Sequence, residues 1–171
     1  MPYPEQLVRP MREELTRAGV SELLDATAVD TAFNDSEGKT QLLVINSVCG
    51  CAAANARPAV LLSRQAKNQP DEYLTVFAGQ DGEATARVRE LLVGIPPSSP
   101  FIALFKAKEP VYVLERKHIE GRSASAIAMD LVQAYDNFCV SDSGEVDQTT
   151  NLDASDDRKG PELPSSFKSI L

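Results

Sequence analysis

Between Thr40 and Asn46 the chain runs through Leu42-Leu43-Val44-Ile45 without a charge. A continuous apolar run of this length predicts a strand covered on both faces, as in the middle of a parallel sheet. Tyr73–Ala78, Phe101–Lys106 and Val111–Leu114 predict three more strands, the last two joined into a hairpin by a turn at Lys108-Glu109-Pro110. Elsewhere the apolar period is helical. Pro10 suits the first turn of a helix running to about Ala18, with Gly19 as its stop, and Thr27 with Asp30 forms a capping box for a short second helix ending near Asn34. A helix from about Cys51 to Asn68 is interrupted by Pro58, whose missing N–H predicts a kink. Glu83–Leu92 has acidic residues at its start and Gly94 beyond its end, as a helix should. Ser123 opens a last helix with Ile127, Leu131, Ala134 and Phe138 on one face. The order ααβαβαββα describes an α/β fold with one core and no internal repeat: a central sheet flanked by helices, with two extra helices at the N-terminal end.

The pattern stops at about residue 140. Residues 141–171 carry seven acidic and three basic side chains, half of the chain's net charge of −8, and their apolar residues follow no period. The division predicted is therefore one domain over 1–140 and an acidic, flexible tail over 141–171. A chain of 171 residues with 43% hydrophobic residues can bury a real core. Its acidity opposes nucleic-acid binding, and no apolar run approaches the roughly 20 residues that cross a bilayer. Three cysteines, an odd number, and an N-terminus without a basic start or apolar core make the cytoplasm the expected compartment.

Candidate chemistry sits at the C-terminal end of the first long strand, where open α/β sheets place their sites. Cys49-Gly50-Cys51 puts two thiols one residue apart, between that strand and an alanine-rich helix. Residues i and i+2 diverge in regular structure, so the sulfurs meet only if the backbone turns sharply, and Gly50 permits that turn. The Cα atoms could then reach the ~4.4–6.8 Å that a disulfide requires. A ring so small would be strained, hence cycled rather than kept. Unpaired N–H groups at a helix start favour thiolate over thiol. Cys49, just outside the helix, is the expected nucleophile and Cys51, entering it, the expected resolving thiol. Zinc normally takes four ligands, and three Cys and one His spread along the chain do not predict a metal site.

The dithiol, its helix, the crossover to a parallel strand and a proline before a final hairpin resemble a thioredoxin-like fold. More specifically, Asn46-Ser47-Val48-Cys49-Gly50-Cys51-Ala52-Ala53, Ala56-Arg57-Pro58-Ala59, Val76-Phe77-Ala78-Gly79-Gln80-Asp81 and Pro97-Ser98-Ser99-Pro100 resemble the bacilliredoxin family of bacterial proteins, over about Tyr3 to Cys139. The resemblance implies that Pro100 is cis and lies beside the dithiol, with the backbone of Ser99 offered for strand-like pairing with a substrate. It implies removal of bacillithiol from bacillithiolated client proteins, Cys49 taking the adduct and Cys51 resolving it. No organic cofactor is needed; bacillithiol is the thiol substrate or co-reductant, and a reductase not identifiable from the chain would restore the dithiol. A general protein disulfide reductase or isomerase, and a non-enzymatic metal or cluster carrier using the same cysteines, are the alternatives.

Four other features bear on the site. Arg57 could attract a carboxylate of a small-thiol adduct or lower a thiol pKa. Cys139 and His118 read as a helix-end thiol and a solvated surface residue. Asp81, Glu83 and Glu90 read as helix-capping and surface charge.

Overall fold

The computed structural model describes residues 2–140; the tail expected over 141–171 lies outside the described residues. Twelve residues, Glu5–Thr16, form α1. It ends in a Schellman motif: the Gly19 N–H donates to the Thr16 carbonyl at 3.0 Å and the Val20 N–H to the Leu15 carbonyl at 3.2 Å. Gly19 has φ +87°, the left-handed conformation that glycine adopts without steric penalty. Pro10 sits inside α1 rather than in its first turn. It lies on the solvent face, where water can serve the Gln6 carbonyl that its missing N–H strands.

The short strand β1 (Ser21–Glu22), absent from the sequence expectation, leads to α2 (Ala26–Asn34). The cap of α2 is Asp25, two residues ahead of the Thr27 box: its side chain accepts the Ala28 N–H at 2.8 Å. Then come β2 (Thr40–Asn46), a helix whose first turn is π and which continues as α3 (Arg57–Ser63), and β3 (Glu72–Phe77). The chain finishes with α4 (Gly82–Leu91), β4 (Phe101–Lys106), β5 (Glu109–Leu114), α5 (Arg116–Ile119) and α6 (Ala124–Phe138).

The strand order is β1-β3-β2-β4-β5. β1 and β2 run parallel to β3, and β4 is antiparallel to both β2 and β5. Every residue of β2 is buried. Leu42 and Val44 pack with Leu15, Val60, Ile127 and Leu131 on the face covered by α1, α3 and α6. Leu43 and Ile45 pack with Val29, Phe33, Ala84 and Val88 under α2 and α4. Two covered faces explain the unbroken apolar run.

The hairpin turn is Ala107-Lys108, both at positive φ (50° and 69°), as a two-residue type I′ turn demands. Glu109 and Pro110 lie in β5 rather than in the turn. Pro110 is tolerated there because β5 is an edge strand whose pairing with β4 shifts register beside it.

Candidate functional site

At the end of β2 the chain turns through Ser47 and Val48 and becomes helical at Gly50. The Cys49 carbonyl accepts the first helical bonds, from Ala52 and Ala53 at 3.1 and 3.3 Å. Its side chain takes the place of an N-cap: Sγ accepts the Ala52 N–H at 3.4 Å and the Ser47 hydroxyl at 3.3 Å. Both thiols of the motif are free and half-exposed. Gly50 itself is helical and not at positive φ, and a Cβ there would meet nothing within 4 Å. The sulfurs therefore approach through their side chains across the first helical turn, not through a glycine-only backbone angle.

The electrostatics separate the two thiols. Burial opposes the Cys49 thiolate, but hydrogen bonds from the Cys51 thiol, the Ser47 hydroxyl and the Ala52 and Cys51 amides outweigh it, and the pKa falls below the ordinary cysteine value. Burial raises the pKa of Cys51, as do its bond to Cys49 and the charge of the Cys49 thiolate; Arg116 works in the opposite direction. As pH rises, Cys49 should lose its proton below, and Cys51 above, the pH of an ordinary thiol. Alkylation by iodoacetamide is expected to show two steps with pH, and the lower one should remain in Cys51→Ala at a higher midpoint. Ser47→Ala removes one donor to the thiolate and is expected to slow alkylation at neutral pH about three- to tenfold.

Beneath the thiols lies a buried polar cluster. Asn46, 1% exposed, accepts the Ser47 N–H at 2.9 Å and Arg57 Nη1 at 3.1 Å, and donates to the Met11 carbonyl at 3.2 Å. Arg57 is 2% exposed and also donates to the Ser47 carbonyl at 3.2 Å and to Glu14 at 2.7 Å. The π turn explains its position. Pro58 has no N–H to continue an α-helical ladder, and the chain inserts a π turn over Ala52–Ala56, closed by the Arg57 N–H on the Ala52 carbonyl. The extra residue turns Arg57 inward. Arg57 is thus not positioned to meet a substrate carboxylate; it fixes the Asn46-Ser47 turn that carries Cys49 and ties it to α1. The helix also stops at Ser63, short of Asn68, where the Ser63 hydroxyl meets the Val60 carbonyl and the Tyr135 hydroxyl.

The Ser99–Pro100 peptide is cis. Ile45 pairs with Phe101, and continuing that antiparallel register sets Pro100 and Ser99 across from Asn46 and Ser47. Arg116, at the start of α5, reaches the same segment: its N–H donates to Ser98 Oγ at 3.3 Å and its Nη1 to the Ser99 carbonyl at 3.5 Å. Nothing in the sequence marked Arg116, which stands two residues before His118, itself read as a solvated surface residue. Asn46 and Ser47 did leave a signal, two polar residues closing an apolar strand.

The remaining candidates fall elsewhere. Cys139 caps the end of α6 beside Thr40, at the opposite end of β2, roughly 20 Å of strand from the dithiol. Burial, the largest influence, raises its pKa. His118 is half-buried rather than solvated, and its Nδ1 accepts the Glu115 N–H at 3.1 Å in the capping box of α5. Asp81 stands at the N-cap of α4, but its side chain makes no capping bond there; it holds Arg12 at 2.7 and 2.9 Å. A cavity of about 890 Å³ at the β1 edge, lined by Ser21, Thr27, Lys39, Arg64 and Tyr73, does not include the dithiol. Among the described residues no three His, Cys, Asp or Glu side chains are grouped to hold a metal, and no helix is long and apolar enough to cross a membrane.

Residues 3–139 match the family model described as Disulphide isomerase. A bacilliredoxin of Salinibacter ruber is 58% identical over 171 residues, covering 99% of each chain. A bacilliredoxin of Halalkalibacterium halodurans is 50% identical over 137 residues, covering 80% of this chain and 94% of its own. The Salinibacter alignment takes in the acidic segment beyond residue 140, which therefore does not lie outside the resemblance. Oxidised thioredoxin O2 of Arabidopsis thaliana superposes with a TM-score of 0.51 at 16% identity, over 70% of this chain and 96% of its own, and shows the thioredoxin-like fold. By the family model over residues 3–139 and by 58% identity over 99% of its length, the chain belongs to the bacilliredoxin family.

Proposed function

We propose that this thiol–disulfide oxidoreductase removes bacillithiol from proteins with Cys49 as the attacking sulfur. The observation that carries the assignment is the pair of hydrogen bonds from Ser47 Oγ and the Ala52 N–H to Cys49 Sγ, at 3.3 and 3.4 Å, which favour the thiolate. The Cys49 thiolate attacks the bacillithiol sulfur of a mixed disulfide. A new S–S bond forms, the old one breaks, and the client sulfur leaves as thiolate and takes a proton from water. Cys51 then attacks Cys49, bacillithiol leaves reduced, and the Cys49–Cys51 disulfide awaits a second thiol or a reductase. Ser99 and Pro100 form the wall against which the client's chain lies. We place the reaction in the cytoplasm, where client thiols are otherwise kept reduced.

The adduct formed in the first step itself activates the second. Once Cys49 is capped, the thiolate that raised the Cys51 pKa is gone, while Arg116 still favours the Cys51 thiolate. A general disulfide reductase would share this chemistry, so competition decides between them. With a bacillithiolated protein and an equal amount of a protein bearing an internal disulfide, the expected result is release of the first at least about tenfold faster. Equal rates would favour the general reductase.

A further inference from the structure

The dithiol alone does not distinguish one small-thiol adduct from another. The chain's net charge of −8 repels anions at long range, so any preference for an anionic adduct requires a cation at the mouth of the site. Arg57 is not that cation, being 2% exposed and engaged by Glu14, Asn46 and Ser47.

Arg116 has the required placement. Its contacts to Ser98 and Ser99 hold it at the segment that the strand register sets across from the turn into Cys49. Its charge acts on both Cys49 and Cys51. Its side chain is 45% exposed, and its carboxylate partner Glu120, at 3.3 Å, is 61% exposed. Solvated pairs of this kind hold weakly and yield to a better-placed carboxylate, for which a guanidinium fork is well shaped. Neighbouring Lys117 is turned to Glu115, and Arg122 to Asp130.

We propose that Arg116 is a carboxylate-binding residue of the site, its guanidinium taking an anionic group on the small-thiol half of a mixed disulfide while Cys49 attacks the sulfur of that half. Arg116 binds and orients; bonds and electrons change only among the three sulfurs, as described above. The inference rests on the assignment of Cys49 as nucleophile.

The test uses one client protein capped in turn with 3-mercaptopropionate (anionic), 2-mercaptoethanol (neutral) and cysteamine (cationic). Release of the client thiol is followed for the intact protein and for Arg116→Gln, Arg116→Lys and Arg116→Glu. The intact protein is expected to favour the anionic over the neutral cap about three- to tenfold at low salt, with the advantage shrinking at 1 M salt. Arg116→Gln should bring that ratio close to one, Arg116→Glu should invert it, and Arg116→Lys should keep part of it. Because the neutral cap is measured for each variant, the ratio is insensitive to losses of folding or of thiolate reactivity. An unchanged ratio in Arg116→Gln, or no charge preference in the intact protein, overturns the proposal while leaving Cys49 in place. Failure of the intact protein to release the client from any of the three caps overturns the proposal, and failure with a bacillithiol cap as well overturns the assignment of Cys49.

Discussion

Replacing Cys49 by serine is expected to slow client release by at least roughly 10³-fold, because a serine hydroxyl at neutral pH supplies neither a thiolate nor a thiol leaving group. Ser47 and the Ala52 amide would still point at the substituted oxygen, so the loss would reflect the sulfur and not a collapsed turn. Cys51→Ala should behave differently. Its first turnover should stay within about tenfold of the intact protein, slowed because one hydrogen bond to the Cys49 thiolate is missing and the Cys49 pKa rises. Raising the pH should recover much of that loss. Turnover should then stop at one equivalent unless an external thiol is added. Stopped-flow release of a client thiol, read as burst amplitude and rate across pH, checks all of these expectations.

Arg12→Leu is expected to destabilise the protein by about 3–5 kcal/mol, the scale for removing one partner of a buried ion pair. Arg12 and Asp81 have side chains 10% and 9% exposed and meet through two bonds; Glu22 takes a third at 2.6 Å, and the guanidinium lies 5.1 Å from the centre of the Phe77 ring. The substitution leaves three carboxylates, those of Asp81, Glu22 and the more exposed Glu5, without their cation and facing an apolar side chain. Arg12→Leu with Asp81→Leu should cost less than the sum of the single changes, since the second removes the charge the first had orphaned. Urea unfolding at an unchanged slope gives both numbers. A loss below about 1 kcal/mol in Arg12→Leu would mean that the network is solvated and does not clamp α1. That clamp matters to the site because α1 also supplies Glu14 to Arg57 and the Met11 carbonyl to Asn46.

What the sequence disclosed follows from which forces act locally. The seven buried residues of β2, the dithiol at its end and the Ser123 cap are written in short-range pattern, and all were legible. The two-residue β1 was not, because a strand that short exists only through its pairing with β3. Pro58 was correctly read as incompatible with an uninterrupted α-helix, but a π turn and a kink are equivalent answers until the packing of Arg57 is known. Pro110 was misread as a turn because a proline is also acceptable in an edge strand. Asp81 does occupy the N-cap position of α4, but its side chain serves Arg12, 69 residues away, which no local pattern discloses. The same holds for Arg116, whose importance comes from the cis-proline segment beside it in space and not from its neighbours in sequence. Long-range polar contacts of this kind leave no period to read.

The most direct measurement is the intact mass of Cys51→Ala after mixing with a bacillithiolated client, with peptide mapping of the product. The account predicts one bacillithiol on Cys49 and a client freed of its adduct. An unmodified Cys51→Ala beside a still-modified client, or an adduct carried on Cys139 instead, would contradict it.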